Sequence, residues 1–138
     1  MIAAETANEL VADGALAPEE SKEYIRMIRQ RAEIEEGESN KYGVMDDIKK
    51  EDMRKLIQTE RQIELAFEEH RYWDVRRWKE GGFTSIGRML ITKNSDDSFT
   101  YTRSIKALVW DDKMYFYPIP DSEIRKNPNL KQNPGWDK

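Results

Sequence analysis

The sequence contains no cysteine and only one histidine among its 138 residues. The absence of cysteine excludes disulfide bonds, thiolate metal sites and a cysteine nucleophile. A single histidine excludes a metal site built from several imidazoles, and no cofactor is predicted. The sequence also lacks a hydrophobic run long enough for a transmembrane helix, and it does not open with a signal peptide.

Basic residues are not gathered into one stretch of the chain. The net charge is −4, and the basic residues alternate with acidic ones instead of forming a stripe. This distribution argues against nucleic-acid binding and against an anionic membrane surface. Four tryptophans, six tyrosines and four phenylalanines can form a modest core, and the length suits one ordinary domain.

The first residues have helix-forming character but lack a cap. Met1–Glu5 contains no Ser, Thr, Asp or Asn that could accept hydrogen bonds from the free N–H groups of a helix start. We therefore expect the chain to begin inside a helix, as a piece of a larger protein. A native start with a frayed first turn is the alternative.

Residues 2–32 predict a pair of helices. The first spans residues 2–11 and ends at Asp13-Gly14, and the second begins with Pro18 in its first turn. Apolar side chains recur on one face of the second helix, at Tyr24, Ile25, Ile28 and Ala32. Two helices with a short connection form the antiparallel hairpin of helical repeat proteins, and a polar loop over residues 37–43 follows.

Residues 50–79 predict one long helix that Gly81-Gly82 ends. Apolar residues occupy two sides of this helix, which is typical of a helix sandwiched between neighbours. Four charged residues fall within one apolar stripe and should be buried: Glu60, Glu64, Arg71 and Asp74.

The remainder predicts a small β element and an ordered tail. Residues 107–110 and 114–117 flank a polar turn, which indicates a β-hairpin, and residues 99–102 alternate like a strand. Residues 83–98 are predicted to be a loop with a solvated tip at 95–98. A short helix capped by Asp121 or Ser122 should run through Ile124, and Asn-Pro turns are expected at residues 127–129 and 133–135.

Two constellations could carry chemistry. Glu60 and Glu64 project from one helix face, so they cannot readily straddle a glycosidic bond as the carboxylates of a glycosidase do. An ion-pair network with nearby arginines (Arg61, Arg71, Arg76 and Arg77) is the favoured interpretation. Trp110, Tyr115 and Tyr117 could stack against sugars, because strand alternation would place both tyrosines on one face. Alternatively, that face covers the helices.

Two segments resemble the SusD/RagB family. Residues 60–78, ERQIELAFEEHRYWDVRRW, resemble its ER-x-x-EL-x-FE-x-x-R-x-x-D-x-x-R signature. Residues 117–136 resemble its PIP-x-x-E and NP-x-L-x-QNPG ending, and the helix pair is similar to the segment upstream. The sequence departs from the family at Glu69, where glycine is common, which puts a close backbone approach there in doubt.

The resemblance implies a surface-exposed outer-membrane lipoprotein that is not an enzyme. Such proteins bind glycans and deliver them to a SusC-like TonB-dependent transporter, on a largely helical fold with tetratricopeptide-like helix pairs. The resemblance assigns a scaffold role to the charged signature residues Glu60, Glu64, Arg71, Asp74 and Arg77.

We therefore expect a mainly α-helical fold with a tetratricopeptide-like helix hairpin, a long central helix, a small β-hairpin and an ordered tail. Residues 1–80 should form the helical scaffold, and residues 81–138 the loop, hairpin and tail packed on it. The expected function is that of a glycan-binding subunit. A helical protein-interaction module without sugar binding is the alternative, and apolar surface exposed on the piece should favour self-association.

Overall fold

The computed structural model describes residues 1–37, 41–82 and 85–137. The chain divides into two compact units, Met1–Arg71 and Tyr72–Lys138. The helices and strands, in chain order, are α1 Ile2–Glu9, α2 Glu19–Arg31, α3 Lys50–Glu64, α4 His70–Arg77, β1 Ser85–Lys93, β2 Phe99–Ala107, a 3₁₀ helix Asp112–Tyr115 and α5 Asp121–Lys126. The predicted class, mainly helical with a β-hairpin, is confirmed.

The first unit is a small three-helix assembly in which α1, α2 and α3 pack against one another. Its buried core combines side chains from all three helices with others from the connecting loops: Ala4, Ala17, Ile25, Val44, Ile48, Met53 and Ile57. The loop before α2 pairs with the segment just before α3, since Ala17 N donates to Ile48 O at 2.9 Å. Ile25 belongs to this core, as the apolar spacing of α2 predicted.

Buried polar side chains join the helices of this unit. Ser21 on α2 donates to the carbonyl of Ala4 on α1 at 2.7 Å, and Asn8 donates to the carbonyl of Lys50 at 3.0 Å. The Lys50 ammonium donates in turn to Val11 O at 2.7 Å. Each bond satisfies a group that would otherwise be buried without a partner, so these contacts fix how the helices pack.

The predicted long helix over residues 50–79 is wrong, because the chain leaves the helical conformation between α3 and α4. Phe67 and Glu69 adopt left-handed backbone conformations with φ of 66° and 63°. A residue with positive φ cannot continue a right-handed helix. Residues 65–69 contain neither glycine nor proline, so helical periodicity alone did not predict that the helix ends there.

The β-hairpin is displaced from its predicted position. The strands are β1 and β2, which pair antiparallel with Lys93 opposite Phe99 and Ser85 opposite Ala107. Of the two predicted strand segments, only Ala107 lies in a strand, at the end of β2, and residues 108–110 and 114–117 are not strands. The predicted loop over 83–98 contains β1, and its residues 83 and 84 lie outside the described residues. The solvated tip is confirmed: Asn94 N donates to Ser98 O at 2.9 Å and closes the turn.

The end of the chain follows the predicted order of elements with one local correction. The short helix α5 and the turns at Pro128 and Pro134 are present. However, the N-cap position of α5 is Pro120 and no side chain caps it, so the predicted Asp121 or Ser122 cap is wrong. Of the predicted loop over 37–43, residues 38–40 lie outside the described part of the chain.

Candidate functional site: an aromatic platform in the second unit

Three aromatic side chains of the second unit form one cluster, which we call the aromatic platform: Tyr72, Trp73 and Tyr117. The ring of Tyr72 meets that of Trp73 edge-on, with centroids 5.2 Å apart and planes at 89°. Trp73 and Tyr117 lie 5.8 Å apart at 43°. The hydroxyls of Tyr72 and Tyr117 are hydrogen-bonded to each other, so all three side chains are mutually fixed.

Arg76 supports the platform from the next turn of α4. Its guanidinium carbon lies 3.5 Å from the centroid of the Tyr72 ring, and Nη1 donates to the Tyr72 carbonyl at 2.8 Å. A guanidinium over the face of an aromatic ring is attracted by the ring quadrupole. Arg76 therefore holds the Tyr72 ring in place by a contact to its face and a bond to its backbone.

The hydroxyl pair changes the acidity of Tyr117. The hydrogen bond with Tyr72 raises the pKa of the Tyr117 phenol, desolvation raises it further, and the nearby charge of Arg76 opposes the shift. A neutral phenol can both donate and accept a hydrogen bond. Tyr117 thus stays protonated through the physiological pH range and keeps its bond to Tyr72.

Trp110 and Tyr115 form a second aromatic pair, with ring centroids 5.1 Å apart. The Tyr115 hydroxyl donates to Lys79 O at 3.0 Å and accepts from Gly81 N at 2.9 Å. The indole of Trp110 lies directly over Gly81, where an added Cβ would come within 1.9 Å of Cζ2. This pair therefore fastens the chain that follows α4.

The tail of the second unit anchors the segment that carries Tyr117. The Gln132 amide accepts from Ile119 N at 2.7 Å and donates to Ile119 O at 2.9 Å. Asn133 Nδ2 donates to Tyr117 O at 2.6 Å, and the Trp136 indole donates to Lys113 O at 3.0 Å. The side chains of Gln132, Asn133 and Trp136 thus bind the backbone of residues 113–119 and hold it in place. This explains why these residue types occur in the QNPGW segment.

The predicted aromatic residues are therefore divided between two clusters. Tyr115 lies in the 3₁₀ helix and Tyr117 lies beyond it, outside any helix or strand, so the strand face that should have joined them does not exist. Tyr117 contacts Trp73 instead, while Trp110 remains with Tyr115. Tyr72 and Trp73 were not predicted as site residues, although both lie on an apolar side of the segment that was predicted as one helix.

The signature carboxylates of the first unit are bound by arginines of α2. Glu60 is only 3% exposed, and its Oε2 accepts from Arg29 Nη2 at 2.7 Å and from Arg29 Nε at 3.0 Å. Arg29 Nη1 also donates to Tyr42 O at 2.6 Å. Glu64 is paired with Arg31, whose side chain is largely exposed. These partners lie about thirty residues away in sequence, and no local pattern predicts them.

The remaining signature charges all lie on α4. Asp74 is buried, and its Oδ1 accepts from Arg77 Nε at 2.9 Å. The Arg77 guanidinium also contacts the ring of Trp78, at 4.5 Å from its centroid. Arg71 is half-buried. Among the described residues, no group of His, Asp and Glu side chains is arranged to hold a metal ion.

None of the helices in residues 1–37, 41–82 and 85–137 has the length and apolar character needed to cross a bilayer. The longest of them, α3, carries charged residues along its whole length.

Comparisons with known proteins agree on one family. The family model described as the SusD family matches residues 1–136. SusD-like protein P2 of Formosa agariphila is 29% identical over 137 residues, which are 99% of this chain but 24% of that protein. The crystal structure of a SusD-like protein from Bacteroides fragilis matches with a TM-score of 0.71 and 34% identity, over 96% of this chain and 23% of that one. The chain thus spans about a quarter of the length of these relatives, and it belongs to the SusD family.

Proposed function

We propose that this chain is part of a glycan-binding subunit of an outer-membrane nutrient uptake system. The family match over residues 1–136 is the observation that carries this proposal. In that role the protein captures an oligosaccharide and passes it to a SusC-like TonB-dependent transporter. Its location is the cell surface, where a lipoprotein anchor outside these residues holds it at the outer membrane.

We propose a binding role and not a catalytic one. The carboxylate pair that sequence offers for glycoside hydrolysis is occupied, because Arg29 binds Glu60 and Arg31 binds Glu64. A general acid must reach the glycosidic oxygen, and Glu60 is almost completely buried. The charged signature residues Glu60, Glu64, Arg71, Asp74 and Arg77 fit the proposed scaffold role.

Calorimetry tests this function. A panel of oligosaccharides is titrated into this chain and into the complete gene product that contains it, and release of reducing sugar is assayed in parallel. We expect measurable binding by the complete product, weaker binding by the chain and no sugar release. Hydrolysis that is lost in Glu60→Gln would contradict the binding role.

One observation favours a protein-interaction module as the second candidate. Phe67 is fully exposed and lines a surface depression of the first unit together with Leu65 and Ala66. Ile63, near the end of α3, is also largely exposed. Exposed apolar patches are typical of protein contacts, and self-association of the chain would use such a patch. Binding to a polypeptide partner without any glycan affinity in the complete product would favour this candidate.

A further inference from the structure

We propose that Trp73 and Tyr117 form a sugar-stacking surface, with Tyr72 and Arg76 as positioning residues. The ligand class is a neutral oligosaccharide that presents the apolar C–H face of a pyranose ring. This inference rests on the proposed glycan-binding function and assigns a site to it. It also replaces Trp110 and Tyr115 with Trp73 as the partner of Tyr117.

Accessibility separates the platform from the other aromatic pair. Trp73 and Tyr117 are each 54% exposed, although their rings already contact each other. A large aromatic surface left in water costs free energy that a ligand with an apolar face can recover. Trp110 and Tyr115 are less exposed, and the Tyr115 hydroxyl is already hydrogen-bonded to the backbone of Lys79 and Gly81.

The platform is rigid before a ligand arrives. Tyr72 packs edge-on against Trp73, bonds to the Tyr117 hydroxyl and is covered by Arg76 on its face. The Tyr117 backbone is held by Asn133. Binding sites that need little side-chain ordering lose less entropy when the ligand binds.

The chemistry of the exposed groups suits a carbohydrate. The negative face of an aromatic ring attracts the weakly positive C–H groups of a pyranose. Tyrosine and tryptophan also combine an apolar body with a polar edge, so they contact both parts of an amphipathic ligand at low entropic cost. Trp73 and Tyr117 meet at 43°, which exposes two adjacent ring surfaces to one sugar chain.

NMR of the four indole N–H groups locates the contact directly. The chain is titrated with maltohexaose, cellohexaose, laminarihexaose and xylohexaose, and the signals of Trp78, Trp110 and Trp136 serve as internal references. We expect at least one probe to shift the Trp73 signal and leave that of Trp110 unchanged. Trp73→Ala and Tyr117→Ala should each weaken this binding by about tenfold or more, which corresponds to about 1.4 kcal/mol.

Two further variants separate stacking from positioning. Phe116→Ala removes a neighbouring aromatic ring that is similarly exposed and should leave the affinity unchanged. Tyr72→Phe keeps the ring but removes the hydroxyl bond, so it should weaken binding less than Trp73→Ala. It should also return the pKa of Tyr117 towards its ordinary value, since the bond to Tyr72 is the main cause of the raised pKa.

The outcomes distinguish this inference from the proposed function. Probe binding that shifts other residues and survives Trp73→Ala would overturn the stacking surface and leave glycan binding in place. If no probe binds to the chain, the stacking surface is wrong, and glycan binding by the complete product is decided separately by calorimetry. If neither the chain nor the complete product binds a glycan, both proposals fail.

Discussion

Arg29 on α2 reaches Glu60 on α3 with two nitrogens that converge on a single carboxylate oxygen, at 2.7 and 3.0 Å. The side chain of Glu60 is 5% exposed and that of Arg29 is 18% exposed. Two charges removed from water to this extent stabilise a fold only as a pair, since the loss of one leaves the other buried without compensation. The packing of α2 on α3 thus depends on this contact.

The first prediction concerns this pair. Arg29→Ala should lower the free energy of unfolding by about 3 kcal/mol, because the buried Glu60 carboxyl loses the partner that binds it. Urea denaturation monitored by helical circular dichroism measures the effect. Replacing both residues by apolar ones, Arg29→Met with Glu60→Leu, should recover most of the loss.

A matched control for this prediction is Arg31→Ala, which removes the neighbouring pair with Glu64. The Arg31 side chain is 73% exposed, and exposed pairs contribute about 0–1 kcal/mol. Equal destabilisation by Arg29→Ala and Arg31→Ala would show that burial does not decide the strength of these contacts.

The second prediction is that Glu69→Gly stabilises the protein. Glu69 has a φ of 63°, a conformation that costs an L-residue roughly 1–2 kcal/mol and costs glycine little. Part of this gain is offset by the greater freedom of glycine in the unfolded chain, so a net increase of about 0.5–1 kcal/mol is expected. Glu68→Gly, beside it but without a positive φ, should give no gain in the same thermal denaturation experiment.

The third prediction compares two glycines of the second unit. Gly81→Ala would place its methyl group 1.9 Å from Trp110 Cζ2, so the indole must move and we expect a loss of about 1–3 kcal/mol with altered tryptophan fluorescence. Gly87→Ala in β1 meets open space and should be neutral or slightly stabilising. Equal effects in the two variants would mean that Trp110 does not pack against Gly81.

The fourth prediction concerns acid stability. Hydrogen bonds from Arg54 hold the pKa of Glu9 below its usual value of 4.5, against a smaller opposing effect of burial. A carboxyl group with a lowered pKa stabilises the fold fully above its unfolded pKa and loses that contribution as the pH falls through the folded pKa. The melting temperatures of the parent and Glu9→Gln should therefore differ at neutral pH and converge below pH 4.5. A difference that stays constant with pH would contradict this assignment.

Local sequence patterns correctly predicted the elements that are specified by residues close together in the sequence. The boundaries of α2 follow from Pro18 and from one apolar face that includes Ile25. The tip over residues 95–98 follows from turn-forming side chains, and Asp96 indeed accepts from Ser98 N at 3.1 Å. In each case the residues that specify the structure also make its contacts.

Prediction failed where the conformation depends on distant contacts or on unusual backbone. The break before α4 occurs at Phe67 and Glu69, whose side chains give no local signal for positive φ. The strand β1 contains the run Met89-Leu90-Ile91, which hides the alternation expected of a half-buried strand, and all of its residues are exposed. The contact of Trp73 with Tyr117 joins residues that no periodic pattern relates.

The clamp formed by Gln132, Asn133 and Trp136 imposes an order on folding during synthesis. These residues bind the backbone of residues 113–119, so that segment cannot acquire its final hydrogen bonds until the ribosome has released residue 136. The ribosome adds about 5–20 residues per second, and domains fold from the N-terminal side during synthesis. Three helices of the first unit can therefore pack while Tyr117 still lacks its backbone partner. A ribosome stalled before residue 132 would hold a nascent chain with a folded first unit and an unformed aromatic platform.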